Sequence, residues 1–281
     1  MVAVAGVEVA LTAYGTLSWG TVSWLCSALV GLACVTLNCL NYQSIAHSFI
    51  HHPFFASRWQ NDAYSVFSSL ALQAPQTLYR VHHLEHHRYN NDAPDPATGR
   101  TLDGSSTYRY SKHPGREEPL WSYALYGPLR VDYGYLHARA KSAGGARLMW
   151  IETAAIALYM SLLALLNWRG GLCFYVPVLY LGQALALAHN YSEHHGARPG
   201  NRLTDAVSCY GRLYNLLWFN EGYHQEHHYR PQVHWTQTPS LRARMLPETE
   251  RRVVPFFHWV SVLSRSATPA DAARAADENT A

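Results

Sequence analysis

The chain has 281 residues, a formal net charge of +3 and 48% hydrophobic residues. The length allows one large domain or two small ones, and the small net charge gives no reason to expect a nucleic acid partner. The apolar residues and the nine tryptophans are concentrated in a few stretches. This distribution favours a membrane protein.

The first apolar stretch, Val2–Leu17, is short and contains Glu8. We predict a short first helix of a helical hairpin here, with an interfacial helix or a disordered start as the alternatives. A signal peptide fits less well, because no basic segment precedes the stretch and no convincing cleavage site separates it from the next apolar run.

The next run, Trp19–Leu40, carries no charge and is long enough to cross a hydrocarbon core about 30 Å thick. A histidine cluster, His47–His52, follows it. The moderately apolar stretch Ala63–Tyr79 contains Pro75, two glutamines and several serines. We therefore predict that it is an interfacial or re-entrant helix and does not span the membrane.

A second histidine cluster, His82–His87, opens a long loop that extends to Arg147. Ten arginines and lysines between Arg80 and Arg147 make this loop positive. Positively charged loops stay on the cytoplasmic side of a membrane. The second cluster is therefore predicted to face the cytosol, and we expect the membrane to be a bacterial inner membrane.

Two further spans are predicted, Met149–Trp168, interrupted by Glu152, and the uncharged Gly171–Ala188. The break between them, Arg169–Gly171, is tight, so the two runs form a hairpin whose outer ends emerge on one side of the membrane. A third histidine cluster, His189–His195, then lies on the same side as the second. The first cluster lies on this side as well if Ala63–Tyr79 does not cross the membrane.

The chain after the third cluster is more polar. A fourth histidine cluster, His224–His228, follows a short apolar patch, and Val253–Leu263 is predicted to be another interfacial helix. We predict one all-α integral membrane domain over residues 1–263, with transmembrane hairpins and a cytosolic helical cap that carries the histidines. The last stretch, 264–281, is rich in alanine and charge and is predicted to be a disordered tail.

The four clusters contain all but four of the 17 histidines. A tag or a storage tract would be contiguous, whereas these clusters are spread over about 180 residues with apolar segments between them. Imidazole binds iron, zinc or copper without adding charge. The remaining histidines are interpreted as ordinary core or surface residues: His113, His137, His234 and His258.

The spacing inside the clusters predicts more than one metal ion. Histidines three or four positions apart share one face of a helix, while adjacent histidines diverge by about 100°. Each H-x-x-H-H pattern can therefore direct one ligand to each of two neighbouring metals. Eight or more ring nitrogens are too many for one tetrahedral zinc, which takes about four ligands. Two metals are implied.

The order and spacing of the clusters, over about residues 40 to 235, resemble the membrane-bound histidine-box di-iron superfamily of fatty-acid desaturases, alkane hydroxylases and carotenoid hydroxylases. The stretch Asn190–Gly196 is similar to the asparagine-tyrosine-x-glutamate-histidine-tyrosine-glycine motif of alkane hydroxylases, with His195 in place of tyrosine. The alkane hydroxylase pattern would select His82 in the second cluster, whereas the desaturase pattern selects His83. The extra ligand before the last cluster is His189, His194 or His195, and the better-matched motif favours His194.

The resemblance implies nine metal ligands and no catalytic residue beyond them. They are His47, His51, His83, His86, His87, His194, His224, His227 and His228. Metal-bound imidazoles usually donate their second N–H to an oxygen. Nearby carboxylates are candidates for that role, namely Glu85, Glu193, Glu226, Asp92 and Asp205.

The resemblance also implies two iron ions, dioxygen as co-substrate, and desaturation or hydroxylation of an unactivated C–H bond in a fatty acyl, alkane or other lipid-like substrate. The sequence has no C-x-x-C pair, so the two electrons are expected from a ferredoxin, a rubredoxin or a cytochrome b5-type donor with its reductase. The alternative is a membrane metal-binding or metal-transport protein. Transport would place polar residues within the spans, which are almost free of them.

Overall fold

A computed structural model describes residues 1–113 and 115–263. They fold into two compact units, the first made of Met1–Leu84 and Ala124–Leu187, and the second of Glu85–Tyr123 and the described chain from Ala188 onward. The prediction of a single domain over residues 1–263 stays a prediction. The predicted tail, 264–281, lies outside the described residues.

The first unit is helical. Its helices are α1 (Val2–Leu17), α2 (Trp24–Leu40), α3 (His47–His51), α4 (Arg58–Leu72), the first part of α5 (Gln76–Tyr89), the last three residues of α6 (Leu120–Tyr126), α7 (Tyr133–Ser142), α8 (Ala146–Leu166), α9 (Trp168–Gly170) and most of α10 (Val176–His194). Two π-helical turns, Asn41–Ala46 and Gly171–Tyr175, join α2 to α3 and α9 to α10, and a 3-10 turn, Gly127–Leu129, follows α6.

The second unit contains the ends of α5 and α10 and shorter elements. These are β1 (Ser208–Cys209), α11 (Arg212–Leu217), a 3-10 turn (Glu221–Tyr223), α12 (His224–Tyr229), a 3-10 turn (Thr238–Arg244), β2 (Val253–Val254) and α13 (Val260–Leu263). Ser208 pairs with Val253 and Cys209 with Val254 in a parallel two-residue ladder. The second unit has a buried apolar core that contains Ala197, Val207, Cys209, Tyr214 and Val254.

Three helical segments of the described chain are long and apolar enough to cross a membrane: Trp24–His51, Ala146–Leu166 and Trp168–His194. Large apolar side chains on them are exposed, including Leu29 and Leu165, as expected of surfaces that contact lipid. The predicted all-α membrane fold with three spans is confirmed. The predicted first helix is confirmed as α1.

The boundaries of the first span differ from the prediction. The helix begins at Trp24 and not at Trp19, because the Ser23 hydroxyl accepts a hydrogen bond from Cys26 N over 3.2 Å and caps the helix there. It also continues beyond Leu40, through the π-helical turn, to His51. The first histidine cluster is therefore the end of the first span.

The other boundaries are also corrected. The break in the hairpin lies at Asn167, whose non-helical backbone ends α8 and whose side chain accepts a hydrogen bond from Gly170 N over 3.0 Å. Ala63–Tyr79 is not one helix, because Gln73 adopts a left-handed conformation with φ of 57° and Pro75 precedes α5. Val253–Leu263 forms a strand and a short helix instead of one interfacial helix.

A buried polar network explains the glutamate in the apolar first helix. Glu8 on α1 accepts hydrogen bonds from Asn38 Nδ2 over 2.9 Å and from Asn41 Nδ2. Asn38 Nδ2 also donates to Ala71 O on α4 over 2.9 Å. The carboxylate is therefore satisfied internally, as a polar group among apolar helices must be.

Candidate metal centre

Helix α5 carries three of the nine predicted ligands. His83 and His87 lie one turn apart and share a face, while His86 points about 100° away from His87. The N-terminal turn of α5 is fixed by Glu152 on α8, which accepts a hydrogen bond from Thr77 N over 2.9 Å. This hydrogen bond holds the first turn of the helix on which His83 lies.

In the first unit the structure brings together His47, His51 and His83. His51 Nε2 lies 2.9 Å from His83 Nε2, and the rings of His47 and His83 have centroids 4.4 Å apart. His47 Nδ1 donates to Gln43 O in the π-helical turn over 2.7 Å, which fixes Nε2 as the nitrogen with the lone pair. The unwound turn thus orients the first ligand of the first cluster.

In the second unit four histidines converge: His86, His194, His224 and His228. One ring nitrogen from each lies within 4.8 Å of the others, and all four residues are buried. Nε2 of His194 and Nε2 of His224 are 3.3 Å apart. This separation is close to that of two ligands on one ion with metal–nitrogen bonds of about 2.0–2.1 Å. His87 and His227 form another pair in this unit, with their Nε2 atoms 3.0 Å apart.

Three of these four imidazoles are oriented by oxygen atoms at Nδ1. His86 Nδ1 donates to Asp103 over 2.7 Å, His194 Nδ1 to the Asp205 carbonyl over 3.0 Å, and His224 Nδ1 to Glu221 over 3.1 Å. A ring nitrogen that donates to an oxygen fixes the other nitrogen as the one with the lone pair. The Nε2 atoms of all three rings are thus prepared as ligands.

His228 provides an independent test of whether these four histidines fit a metal ion. Both of its ring nitrogens are buried, and neither has a hydrogen-bond partner among the described residues. Burial, and then the neighbouring His87, His224, His194 and His86, hold the pKa of His228 well below its usual value, so the ring is neutral. A neutral buried imidazole among three others fits a bound cation, and nitrogen ligands of this kind suit iron, zinc or copper.

Asp103 is the partner of His86 that the sequence reasoning missed. It is fully buried, and burial alone raises the pKa of a carboxyl group. His86 and the backbone N–H groups of Ser105 and Asn91 outweigh burial and lower the pKa of Asp103 far below its usual range. No local spacing signals this pair, because Asp103 lies in a loop well beyond the second cluster.

Glu221 is a second missed partner, but it had a usable signal. It precedes His224 by three residues, which is the spacing of side-chain neighbours on a helix. Of the carboxylates that were predicted, Glu193 also lies near His224, with Oε1 3.7 Å from His224 Nδ1, whereas Asp92 has other contacts. Asp92 accepts from the backbone N–H groups of Leu102 and Asp103 and so shapes the loop that holds Asp103.

Two further predicted carboxylates are corrected in their role. Asp205 orients His194 through its backbone carbonyl, while its side chain accepts from Gln225 Nε2 over 2.9 Å and burial raises its pKa to about 6. Glu226 accepts from Ser208 Oγ over 2.7 Å and contacts Arg251 over 3.5 Å. It therefore attaches the fourth cluster to β1.

Histidines of the clusters that were not predicted as ligands have other surroundings. His82 is half-buried, on a different face of α5 from His83. His195 Nδ1 lies 2.5 Å from Glu117. His189 lies 3.2 Å from Glu193. It is on the same helix as His194 but belongs to a separate group of buried polar side chains. The structure thus separates His194 from its two neighbours in the third cluster.

The sequence model of the fatty acid desaturase family matches residues 22–260. The chain belongs to the fatty acid desaturase family. The match includes all four histidine clusters of this desaturase-family chain, and the resemblance inferred from those clusters is confirmed.

Relatives of this desaturase-family chain are named as sphingolipid desaturases. It is 26% identical over 209 residues to a putative sphingolipid delta(4)-desaturase/C4-monooxygenase of Caenorhabditis elegans, covering 73% of the chain and 54% of that protein. It is 27% identical to a sphingolipid delta(4)-desaturase of Gallus gallus, covering 74% of the chain and 60% of that protein. A sphingolipid delta(4)-desaturase/C4-monooxygenase of Rattus norvegicus is 27% identical, with 73% and 60% covered. The chain spans little more than half the length of these curated relatives.

Proposed function

We propose that the chain is a membrane-bound, oxygen-dependent di-iron oxidoreductase that desaturates or hydroxylates a lipid chain. The observation that carries the proposal is the buried group of His86, His194, His224 and His228, in which three rings are oriented at Nδ1 by oxygen atoms. The nine predicted histidines would be the ligands of two iron ions, and this group would hold one of them.

Iron bound by these histidines would supply the reduction of dioxygen by two external electrons and the removal of hydrogen from an unactivated C–H bond. Desaturation consumes dioxygen, two electrons and two protons and yields a carbon–carbon double bond and two waters. Hydroxylation consumes the same reagents and yields an alcohol and one water. One oxidising site can therefore give either product, and the position of the substrate carbon decides between them.

The chain's own residues hold the ligands in place and exclude water. His194, Asp103 and Glu226 are fully buried, and His86, His224 and His228 are nearly so. Imidazoles that are oriented by hydrogen bonds and shielded from water keep their ligand geometry without further rearrangement. Asp103 and Glu221 also add negative charge next to the ligands, which favours bound cations.

The substrate class is proposed from the relatives. They are named as sphingolipid delta(4)-desaturases, and two of the names include C4-monooxygenase activity. We propose a sphingolipid-like chain as the substrate, before other fatty acyl or alkane substrates. A dual name in the relatives also agrees with a site that can desaturate or hydroxylate.

Electrons would come from a ferredoxin, a rubredoxin or a cytochrome b5-type donor with its reductase. The donor would reach the histidines from the cytoplasmic side, which the positive loop between Arg80 and Arg147 favours. The expectation of a bacterial inner membrane has no support, because the relatives named above are eukaryotic. The alternative of a metal transporter has no support from them either.

The experiment is turnover by the purified full chain in lipid nanodiscs, with reductase, electron donor and oxygen. The candidate substrates are a ceramide with a saturated sphingoid base, a saturated acyl thioester and a linear alkane. We expect product from the ceramide, two irons per chain, and loss of product in His86→Ala, His194→Ala and His227→Ala. Mass spectrometry separates the two reactions, because a new hydroxyl and a new double bond differ by one water.

His137→Ala is the matched control, since His137 is half-buried on α7 and contacts Trp150. Absence of iron, or product unchanged in the three ligand variants, would contradict the di-iron proposal. Turnover with oxygen and no electron donor would contradict the proposed partner. Product from the alkane alone would overturn the substrate class and leave the metal centre intact.

A further inference from the structure

A second polar cluster lies in the second unit, beside the proposed iron ligands. It consists of His189 and Glu193, one turn apart on α10, Tyr214 on α11, and His258 before α13. His189, Glu193 and His258 are each 0% exposed, and Tyr214 is also buried. None of the nine predicted iron ligands is among these four residues.

The donor atoms of the cluster have the spacing of ligands on one ion. His189 Nε2 is 3.2 Å from Glu193 Oε1, and His258 Nδ1 is 3.6 Å from the same oxygen. Tyr214 OH lies 2.9 Å from His189 Nε2 and 2.9 Å from His258 Nδ1. Adjacent ligands of a tetrahedral zinc with bonds of about 2.0–2.1 Å are about 3.3 Å apart.

The ring of His258 is oriented as a ligand. Its Nε2 donates to Val207 O over 3.0 Å, so its Nδ1 carries the lone pair that points into the cluster. Burial and then the neighbouring His189 lower the pKa of His258 to about 3, so the ring is neutral. The single hydroxyl proton of Tyr214 can be donated to only one of the two ring nitrogens that it faces. Lone pairs therefore converge on this point.

We propose that His189 Nε2, Glu193 Oε1, His258 Nδ1 and Tyr214 OH form a separate site for one divalent transition-metal ion, of which zinc fits best. Two histidines and a carboxylate are a usual zinc donor set, and the buried fourth position is filled by the protein. On binding, Tyr214 releases its proton to solvent, and the phenolate and the Glu193 carboxylate offset both charges of the ion.

The ion would have a structural role. It would join α10, α11 and the segment before α13 at one point, and it would hold Glu193, whose Oε1 is also 3.7 Å from His224 Nδ1. A closed site with four protein ligands contributes to folding stability and leaves no position for substrate. The inference does not depend on the proposed oxidation reaction.

The experiment is a metal count on the purified full chain, loaded with Fe²⁺ and then Zn²⁺ and dialysed. The variant is His258→Gln, and the matched control is His234→Gln, because His234 is exposed. We expect the variant to contain one metal ion fewer per chain than the unchanged protein, and the control to contain the same number. An equal metal count in His258→Gln and the unchanged chain overturns the proposal.

A measurement on the unchanged protein covers the case in which the variant does not fold. An anomalous difference map at the zinc edge should show a peak between His189 Nε2 and His258 Nδ1, and an empty map at this position overturns the proposal. The same map distinguishes the two proposals. A zinc peak at this position in a protein without iron elsewhere would contradict the di-iron proposal and support the separate zinc site.

Discussion

On α5, neighbouring histidines project about 100° apart, so only one of His82 and His83 can face the ligands of the first cluster. His83 is buried with its Nε2 2.9 Å from His51 Nε2, and His82 is half-buried elsewhere on the helix. We expect His83→Ala to lower turnover more than about 100-fold, beyond the loss typical for an outer partner of a metal ligand.

His82→Ala is the matched control, with the same substitution one position away. Its turnover and iron content should stay close to those of the unchanged chain, because it removes no proposed ligand. Both are measured by product formation and by iron analysis of the purified protein. The opposite ranking of the two variants would assign the ligand to His82.

Asp103 holds His86 through a carboxylate that accepts on both oxygens. Oδ2 accepts from His86 Nδ1 and Asn91 N, and Oδ1 accepts from the backbone and hydroxyl of Ser105. In Asp103→Asn one of these oxygens becomes an NH2 donor that faces other donors in either orientation. We expect a loss of about 10–100-fold in iron affinity, measured by the rate of iron release to a chelator.

Asp62→Asn is the control for this substitution, because Asp62 is partly exposed and pairs with Arg58 over 3.9 Å. Its iron release should match that of the unchanged chain. Release from Asp103→Asn at the same rate would show that Asp103 does not position His86.

Site residues that follow from local spacing could be predicted from the sequence, whereas those placed by the folding of a loop could not. His83, His86 and His87 follow from helical periodicity, and Glu221 could have been found by the same rule, three residues before His224. Asp103 could not, because its place under His86 depends on the loop conformation. That conformation is fixed by contacts such as those of Asp92 with the backbone of residues 102 and 103.

At the scale of elements, a carboxylate in the second span supports the helix that carries three proposed ligands. Glu152 on α8 accepts from Ser65 Oγ over 2.5 Å, from Thr77 N over 2.9 Å and from Thr77 Oγ over 3.0 Å. In Glu152→Ala the half-buried Thr77 N–H loses this acceptor, at a cost of about 1 kcal/mol for each hydrogen bond lost. We expect a lower midpoint of thermal unfolding and faster iron release.

Thr153→Ala is the matched control on the next residue, because the Thr153 hydroxyl donates within its own helix to Met149 O over 2.8 Å. Its unfolding midpoint should lie near that of the unchanged chain, as should its rate of iron release. If Glu152→Ala unfolded at the same temperature as Thr153→Ala, the cap would have no role in stabilising α5.

Element boundaries could be predicted less well than the elements. Hydropathy identified the three spans, but it does not report where a side chain caps a helix. Ser23 starts α2 after Trp19, and Asn167 ends one span and starts the next before the glycines at 170 and 171. The two-residue pairing of Ser208–Cys209 with Val253–Val254 joins segments distant in sequence, which no local pattern encodes.

At the scale of the whole molecule, the charge pattern and the spans together predict which end of each helix faces the cytoplasm. The chain before α8 is basic, with Arg139 and Lys141 in the last turn of α7, and basic segments remain cytoplasmic. Helix α8, Ala146–Leu166, has a length of about 30 Å at about 1.5 Å per residue, the thickness of a hydrocarbon core. Its two ends should therefore lie on opposite sides of the membrane.

Cysteine labelling tests this orientation. Lys141 and Arg169 are both exposed and lie beyond opposite ends of α8. In a chain with Cys26 and Cys173 replaced by serine, we expect a membrane-impermeant maleimide to label Arg169→Cys in intact cells. Lys141→Cys should react only after permeabilisation, because the basic side is predicted to be cytoplasmic. Labelling of Lys141→Cys in intact cells would invert the orientation, and the electron donor would then have to act from the opposite side of the membrane.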